Sequence, residues 1–250
     1  MKPIQKGWNE LGRSVEGRSI RAYSNFDFDA SVPSWTLILG GTHGDERATV
    51  EFLEAFIADR IGDGPGMAPV VVLPVLNPDG YELDSRYNAR GVDLNRNFPE
   101  LWSATTDEPS GEAPLSEPES RLLHDLLTQA MPSRVLSLHW ALSEIDAEGE
   151  GYIWAKGLWE NLDEAHRNLF RLREPGEDSL PGSLGTFCRT LASTLLITLE
   201  LPYHPAPELD PLPEDHFETV RALWKTDREQ YWQGVYPAVE KLLLAAVEKG

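Results

Sequence analysis

The chain has 250 residues, of which 41% are hydrophobic and 25% are charged, a composition typical of a globular protein with one sizeable core. Its net charge of −19 argues against a nucleic acid partner, because proteins that bind phosphate backbones present lysine and arginine to them. No apolar run approaches the roughly 18 to 20 residues that a membrane span needs, and the opening residues lack the apolar region of a secretory signal. We therefore expect a single domain over residues 1–250 that acts in the cytoplasm, with no membrane partner.

Cys188 is the only cysteine. One cysteine can form neither an intrachain disulfide nor a cysteine-based metal cluster, so any metal ion must be held by histidine and carboxylate side chains. The chain also lacks the His-Glu-x-x-His pattern of many metalloproteases, the Gly-x-Ser-x-Gly pattern of serine hydrolases and the glycine-rich nucleotide-binding motifs.

The pattern of apolar residues predicts alternating strands and helices. Residues 11–23 alternate and turn on glycines, which predicts a hairpin, and the later apolar runs are rich in branched residues, as in strands buried on both faces. These strands are 36–39, 70–76, 195–199 and a shorter one at 135–138; the helices are 48–61, 117–129 and 216 to about 247, and 103–118 and 202–213 are loops. The order predicts an α/β fold, a three-layer sandwich in which helices flank a central mixed, largely parallel sheet.

Candidate ligand residues come directly after the predicted strands. In open α/β sheets, ligands bind at the carboxyl ends of the strands. His43 and Glu46 follow the strand at 36–39, His139 follows 135–138, and Glu200 follows 195–199. We therefore expect these side chains to meet at one edge of the sheet.

His43 and Glu46 form a His-x-x-Glu pair, which alone is weak evidence, because six histidines and 41 acids in this chain give about one His-x-x-acid by chance. At a strand-to-helix junction, however, residues three apart in the first helical turn can direct an imidazole and a carboxylate to one ion. His139 would be a third ligand and leave one zinc position open, which is a catalytic arrangement. The alternative is that Glu46 only favours a helix N-terminus and that His139 is a hydrogen-bonded core residue.

Glu200 is the candidate for a carboxylate that works beside the metal. A zinc hydrolase needs such a group to take a proton from water and pass it to the leaving nitrogen. An acid at the end of a buried strand is costly to ionise unless a cation or a hydrogen-bond donor is close. The alternative is that the strand has already emerged at Glu200 and that its carboxylate is solvated.

Several motifs occur in a fixed order along the chain. They are Gly-Gly-Thr-His43-Gly-Asp-Glu46, Asn-Pro-Asp-Gly80, Gly-Val-Asp-Leu-Asn95-Arg96-Asn-Phe-Pro, the lone His139 and Thr-Leu-Glu200. Together they resemble the zinc metallocarboxypeptidase family over most of the chain. Within that family, Gly-Glu-Ala-Pro-Leu-Ser-Glu-Pro-Glu119 and Pro-Gly-Ser-Leu-Gly-Thr-Phe-Cys188 are similar to the bacterial murein peptide amidases, which cleave the γ-D-glutamyl–diaminopimelate bond in cytoplasmic peptidoglycan recycling.

The resemblance implies a zinc-dependent hydrolase that acts on a small peptide with a free C-terminal carboxylate. It makes His43, Glu46 and His139 the ligands of one zinc ion, and it makes Glu200 the general base and acid. The spacing of the motifs leads to the same four residues.

The resemblance also implies roles for residues between the motifs. Asn95 and Arg96 would bind the terminal carboxylate of the substrate, which suits the paired donors of a guanidinium group. Asp93 would orient His43 through a hydrogen bond. Arg86 would polarise the scissile carbonyl, with Arg90 as its rival for that role. The alternative for this whole group is a hydrogen-bonded loop with surface charges.

One feature departs from the pattern of digestive carboxypeptidases, and a second bears on the choice of substrate. Those enzymes have a mobile tyrosine about twenty residues before the catalytic glutamate, but no tyrosine lies here between Tyr152 and Glu200, and Tyr203 follows Glu200. Leu184, near the expected specificity pocket, carries no charge, so recognition of the distal charges of diaminopimelate has to come from elsewhere.

Other functions share parts of this pattern. A general metallocarboxypeptidase would use the same residues, and an N-acyl amino acid deacylase of the succinylglutamate desuccinylase or aspartoacylase type would share the zinc site. A non-catalytic zinc-binding or peptide-binding protein ranks last, because none of the four key residues is missing.

Overall fold

The computed structural model describes residues 3–28, 34–61, 68–104, 108–147, 149–174, 176, 180–202 and 235–243. The strands are β1 (Gly7–Arg13), β2 (Ser19–Ser24), β3 (Thr36–Leu39), β4 (Val70–Leu73), β5 (Arg134–Trp140), β6 (Glu144–Ala147), β7 (Arg171–Leu172) and β8 (Leu195–Leu201). The helices are α1 (Arg47–Asp59), α2 (Pro78–Leu83), α3 (Pro118–Asp125), α4 (Gly151–Asn161), α5 (Glu164–Arg167), α6 (Leu184–Cys188) and α7 (235–243). Leu94–Arg96 forms a 3-10 turn and Leu126–Ala130 a π-helical turn. None of the described helices is long and apolar enough to cross a membrane.

The eight strands form one mixed sheet in the order β1-β2-β4-β3-β5-β8-β6-β7. The central strands β4, β3, β5 and β8 are parallel to their neighbours in that row. Antiparallel pairing adds β2 and β1 on one side and β6 on the other, and β7 lies parallel to β6 at the edge. The mixed, largely parallel sheet predicted from the sequence is confirmed.

Two apolar clusters cover the two faces of the sheet. Side chains of α1, α4 and α7 pack on one face, which we call the α1 face. Those of α3, the π-helical turn and α6 pack on the other, the α3 face. Successive strand residues point to opposite faces, so Ile38 joins the first cluster while Leu37 and Leu39 join the second. This is why β3 is buried at every position and why Leu37, Ile38 and Leu39 are all apolar.

The predicted elements are found with shifted ends. The strand at 36–39 and the hairpin within 11–23 are confirmed, and β5 and β8 are longer than predicted. β4 ends at Leu73 rather than at residue 76, because Pro74 has no N–H to donate to a neighbouring strand. The helix predicted at 117–129 continues beyond α3 as the π-helical turn. Of the helix predicted at 216–247, only 235–243 are described and helical; the rest of it, like residues 105–107 and 203–213 of the predicted loops, lies outside the described residues.

The turn after β3 lies against the backbone of α2 at Gly44. A Cβ atom on Gly44 would lie 2.0 Å from the carbonyl carbon of Gly80 and 2.2 Å from the amide nitrogen of Tyr81. No L-amino acid with a side chain fits at these distances unless the two backbone segments separate. The contact therefore fixes the position of the turn that carries His43 and Glu46.

We expect Gly44→Ala to lower the free energy of unfolding by about 1 to 3 kcal/mol, the usual cost of overpacking. Gly157→Ala is the matched control, because a Cβ atom on Gly157 in α4 would meet nothing within 4 Å. That control should raise stability by up to about 1 kcal/mol, since alanine is the better helix former. Denaturant unfolding measures both variants, and equal stabilities would contradict the close packing at Gly44.

Candidate active site

His43 and Glu46 lie in the turn between β3 and α1. The turn follows Gly41, whose φ of +56° favours glycine. α1 begins at Arg47, so the prediction that the pair occupies the first helical turn is wrong: a backbone hydrogen bond of 3.3 Å from the Glu46 N–H to the His43 carbonyl closes the turn before the helix starts. Glu46 is the residue before the helix, but its side chain makes no capping hydrogen bond. Its carboxylate is therefore available to other groups.

Three potential metal ligands, from His43, Glu46 and His139, lie within 4.8 Å of one another. Nδ1 of His43 is 2.6 Å from Oε1 of Glu46, and Nδ1 of His139 is 3.2 Å from Oε2 of the same carboxylate. All three side chains are buried. The carboxylate thus lies between two imidazoles, and within the described part of the chain no other group of histidine, cysteine and acidic residues has this geometry.

His139 and Glu200 lie inside strands. The sequence predicts that they follow the strand ends, but β5 and β8 continue to Trp140 and Leu201, and His139 and Glu200 are direct partners between these strands. The strands continue because Trp140 and Leu201 pack into the apolar cluster on the α1 face. Since side chains alternate, His139 and Glu200 point to the α3 face.

Two polar rows cross β5, β8 and β6 on the α3 face, and each row takes one residue from each strand. Paired residues share a face, and residues two apart in a strand share it as well. The hydroxyl of Ser137 lies 3.3 Å from Nε2 of His139, so the two rows are in contact. The first row is His139, Glu200 and Glu144, and the second is Ser137, Thr198 and Asp146.

The carboxylate of Asp93, which is fully buried, connects the surrounding groups. Its Oδ1 lies 3.1 Å from Nε2 of His43 and accepts a hydrogen bond of 2.8 Å from the backbone N–H of Asn95. Its Oδ2 accepts a hydrogen bond of 2.9 Å from Arg86. Because Nε2 of His43 faces Asp93, it is Nδ1 that faces Glu46.

Arg86 and Arg90 occupy different surroundings. A guanidinium nitrogen of Arg86 lies 3.3 Å from Nδ1 of His43 and 3.9 Å from Oε1 of Glu46. Arg90 is more exposed, and its guanidinium group lies 3.5 Å from the carboxylate of Glu117. Only Arg86 of the two lies next to the cluster of potential ligands.

Asn95 and Arg96 are held by the first residue of α6 and by the segment before it. The backbone N–H of Leu184 donates to Oδ1 of Asn95 at 2.9 Å. Gly182 has a φ of +68°, and a Cβ atom there would lie 2.3 Å from the carbonyl oxygen of Arg96. The amide nitrogen of Asn95 and the guanidinium group of Arg96 are the donors with which this pair can bind a carboxylate.

The charges in this cluster shift one another. Burial alone would lower the pKa of His43, but the carboxylates of Glu46 and Asp93 raise it to about 9. Burial opposes ionisation of Glu46, yet His43 and His139 lower its pKa to about 2. Asp93 is likewise buried, and the hydrogen bond and charge of His43 hold its pKa well below the ordinary value. Burial raises the pKa of Glu200, and the charge of Glu46 adds to that effect.

A cavity of about 440 Å³ lies over the two polar rows. This volume is within the range that small ligands occupy in proteins. Every residue that the sequence assigns to the site lines the cavity except Asp93, which lies behind His43. Leu184 also lines it, and no tyrosine does among the described residues.

Besides Ser183, which caps α6, sequence reasoning missed five polar residues of the cavity wall. Ser137 and Thr198 have a simple signal, because each precedes a predicted site residue by two positions in a strand and so shares its face. Of the other three, two lie in β6 and one directly follows β7, and both of these short strands have too few apolar residues to be predicted from the sequence. The three residues are Glu144, Asp146 and Arg173.

Comparison with known proteins agrees with this geometry. Residues 6–143 match the model of the zinc carboxypeptidase family. Murein peptide amidase A of Escherichia coli is 34% identical over 211 residues, which cover 78% of this chain and 81% of the relative. Murein peptide amidase A of Vibrio campbellii is 31% identical over 228 residues, which cover 84% and 86%.

Solved structures share the architecture. The crystal structure of a murein-tripeptide amidase from Escherichia coli O157 matches with a TM-score of 0.62 at 28% identity and covers 88% of this chain and 92% of that one. Carboxypeptidase A of Helicoverpa armigera matches with a TM-score of 0.74 over 97% of this chain and 69% of its own, and its 21% identity shows a common fold alone. The family model covers more than half of this chain and the amidase relatives exceed 30% identity, so the chain is a zinc hydrolase of the zinc carboxypeptidase family, which hydrolyses peptides.

Proposed function

We propose that this enzyme is a zinc-dependent amidase that releases the C-terminal residue of a murein peptide by hydrolysing the γ-D-glutamyl–diaminopimelate bond. One observation carries the proposal: two buried histidines and a buried glutamate converge beside a second glutamate, in a cavity that also presents an arginine and asparagine pair. Two relatives more than 30% identical over most of the chain are murein peptide amidases, which supports this choice of bond. The proposal extends to peptidoglycan recycling as the process and to the cytoplasm as its place.

His43, Glu46 and His139 would hold one zinc ion. Two imidazole nitrogens and a carboxylate oxygen are a typical donor set for catalytic zinc, which leaves one position open. Catalytic zinc sites also fix each histidine through its other nitrogen. Here Asp93 and Ser137 lie at hydrogen-bonding distance from the Nε2 atoms of His43 and His139. The residues present therefore fit the ion.

Glu200 would move the proton of the reaction. Bound zinc supplies Lewis acidity, which acidifies water and polarises a carbonyl oxygen. The Glu200 carboxylate then accepts the proton of the attacking water and delivers it to the nitrogen of the departing amine. A base that must also act as an acid benefits from a pKa closer to neutrality, and burial raises the pKa of Glu200 in that direction.

Arg86, Asn95 and Arg96 would hold the substrate. Arg86 is fixed by Asp93, so its charge is already in place where negative charge develops on the carbonyl oxygen. Asn95 and Arg96 would bind the terminal carboxylate and so keep the scissile bond near Glu200. Arg90 takes no part in this proposal, because it faces Glu117.

Zinc content tests the ligand assignment. We expect one zinc ion per chain in the parent protein and none in His43→Ala or His139→Ala, since two remaining ligands hold zinc too weakly to survive dialysis. His124→Ala is the control, because the ring of His124 lies beside that of Phe187, with centroids 5.2 Å apart, outside the cluster. Elemental analysis of the purified proteins gives the stoichiometry, and unchanged zinc in both ligand variants would refute the site.

Asp93→Asn tests the group that fixes His43. We expect zinc affinity to fall about 10- to 100-fold, the usual effect of losing such a partner. Asp79→Asn is a control of matched burial, because the Asp79 carboxylate accepts a hydrogen bond from Ser14 and pairs with Arg18 away from the cavity. It should lower stability and leave zinc affinity unchanged. Competition with a chromophoric chelator measures affinity, and equal affinities of the two variants would contradict the role of Asp93.

The reaction itself is tested with L-Ala-γ-D-Glu-diaminopimelate and an ordinary peptide with a free C-terminus. We expect the zinc-loaded enzyme to release diaminopimelate from the first and to leave the second intact, as mass spectrometry of the products will show. Cleavage of the ordinary peptide would instead indicate a general carboxypeptidase. Inactivity on both, with turnover of an N-acyl amino acid, would indicate a deacylase.

The same assay tests Glu200. Glu200→Gln should bind zinc normally and lose about 100- to 10,000-fold in kcat, the range that a general acid–base contributes. Glu160→Gln removes an exposed carboxylate that pairs with Lys156 and serves as the control. Full activity of Glu200→Gln would refute its assignment as the base.

A further inference from the structure

The cavity has a charged wall that the proposed reaction does not use. β6 pairs antiparallel with β8, which places Glu144 opposite Glu200 and Asp146 opposite Thr198. Ile145 and Ala147 alternate with these acids and pack into the apolar cluster on the other face of the sheet. The two acids of β6 therefore face the cavity, next to the base on the neighbouring strand.

Arg173 completes this wall. Its backbone N–H donates to the carbonyl of Ile145 at 3.0 Å, which continues the pairing of β7 with β6. Its guanidinium group lies 3.8 Å from a carboxylate oxygen of Glu144 and 3.9 Å from one of Asp146. The side chains of Asp146 and Arg173 are 36% and 24% exposed, so a ligand in the cavity can reach both.

The carboxylate of Asp146 and the guanidinium group of Arg173, which lie next to each other, suit a ligand group that carries both a positive and a negative charge. A carboxylate binds an ammonium group and a guanidinium binds a carboxylate, and such charge-assisted hydrogen bonds are the strong ones. Asp146 and Arg173 lie 3.9 Å apart and offset each other's charge, and a group with one ammonium and one carboxylate can bind both at once, whereas an apolar or singly charged side chain gains such a bond from at most one of them. The wall thus fits an amino acid terminus, in which ammonium and carboxylate share one carbon atom.

We propose that Asp146 and Arg173 bind the zwitterionic distal end of the departing amino acid, with Asp146 on its ammonium group and Arg173 on its carboxylate. This rests on the proposed function, in which diaminopimelate leaves. Its proximal carboxylate goes to Asn95 and Arg96, and its distal carbon carries a second ammonium and a second carboxylate. Leu184 lines the same cavity and has no charge to offer them. The pair therefore decides the specificity of the enzyme for a zwitterionic leaving residue.

Three substrates separate the two contacts. The first is L-Ala-γ-D-Glu-diaminopimelate; in the second, lysine replaces diaminopimelate and lacks the distal carboxylate; in the third, 2-aminopimelate replaces it and lacks the distal amine. We expect the parent enzyme to prefer the first by about 10- to 100-fold in kcat/KM over each of the others, as expected for one lost charge-assisted hydrogen bond.

Arg173→Gln should abolish the preference over the lysine substrate, and Asp146→Asn the preference over the aminopimelate substrate. Arg173→Lys keeps a charge and should keep part of the preference if the glutamine variant is unstable. Arg171→Gln is the control, because Arg171 contacts Glu144 from outside the cavity and its side chain is 66% exposed. It should keep both preferences. An equal loss on all three substrates in the Arg173 and Asp146 variants would show a structural role and overturn the proposal.

Calorimetric binding of free diaminopimelate and free lysine to the zinc-loaded enzyme separates this proposal from that of the reaction. We expect diaminopimelate to bind about 10- to 100-fold more tightly, and Arg173→Gln to remove the difference. If the tripeptide is not cleaved but this difference is seen, the proposed bond is wrong and the subsite stands. If the tripeptide is cleaved and the variants keep both preferences, the subsite is wrong and the reaction stands.

Discussion

The carboxylate of Asp93 is the contact on which the arrangement of the site depends. It accepts from the backbone N–H of Asn95 and from Arg86, and it lies at hydrogen-bonding distance from Nε2 of His43. His43 and Arg86 lie on different segments, so this one buried carboxylate sets the distance between a potential metal ligand and the arginine beside it. Burial of an acid is costly, and the partners offset that cost by holding the pKa of Asp93 well below its ordinary value. The contacts with His43 and Arg86 thus keep the Asp93 carboxylate ionised, and the ionised carboxylate in turn holds both side chains in place.

The sheet supplies the second constraint. Its central strands are buried on both faces, yet β5 and β8 change from apolar to polar on the α3 face alone: Val135 gives way to Ser137 and His139, and Leu196 to Thr198 and Glu200. The opposite face stays apolar to the strand ends at Trp140 and Leu201. Because successive side chains of a strand point to opposite faces, polar residues on the α3 face leave the apolar packing on the α1 face unchanged. Catalytic candidates can therefore lie within strands whose other face still contributes to the core.

The sequence predicts those site residues that come directly after continuous apolar runs. His43, Glu46, His139 and Glu200 were accessible to this reasoning, because β3, β5 and β8 bury both faces and so stand out in composition. The conformation of the turn at His43 was not, because two residues three apart can converge on one ion either in the first turn of a helix or in a tight turn before it. The zinc ligands themselves stay a prediction that metal analysis decides.

The charged wall could not be predicted for a different reason. Glu144 and Asp146 belong to a four-residue strand with only two apolar residues, and Arg173 follows a two-residue strand, so neither segment contains the apolar run by which β3 and β4 are predicted. Their proximity depends on the pairing of β6 with β8 and of β7 with β6, which joins residues far apart in the chain. Such pairing is decided by the register of the whole sheet and leaves no local signal.

This division of the sheet has a consequence for how the enzyme can select its substrate. The proposed metal ligands and base come from β5, β8 and the turn after β3, which are held by neighbours on both sides. The proposed specificity pair comes from β6 and from the residue after β7, the strand at the edge. A change at Arg173 meets a backbone with one neighbouring strand, so it can alter the charge of the wall while the central strands keep their register. Chemistry and selection of the leaving residue are thus physically separable in this fold, although Glu144 and Glu200 stand directly opposite each other across one strand pair.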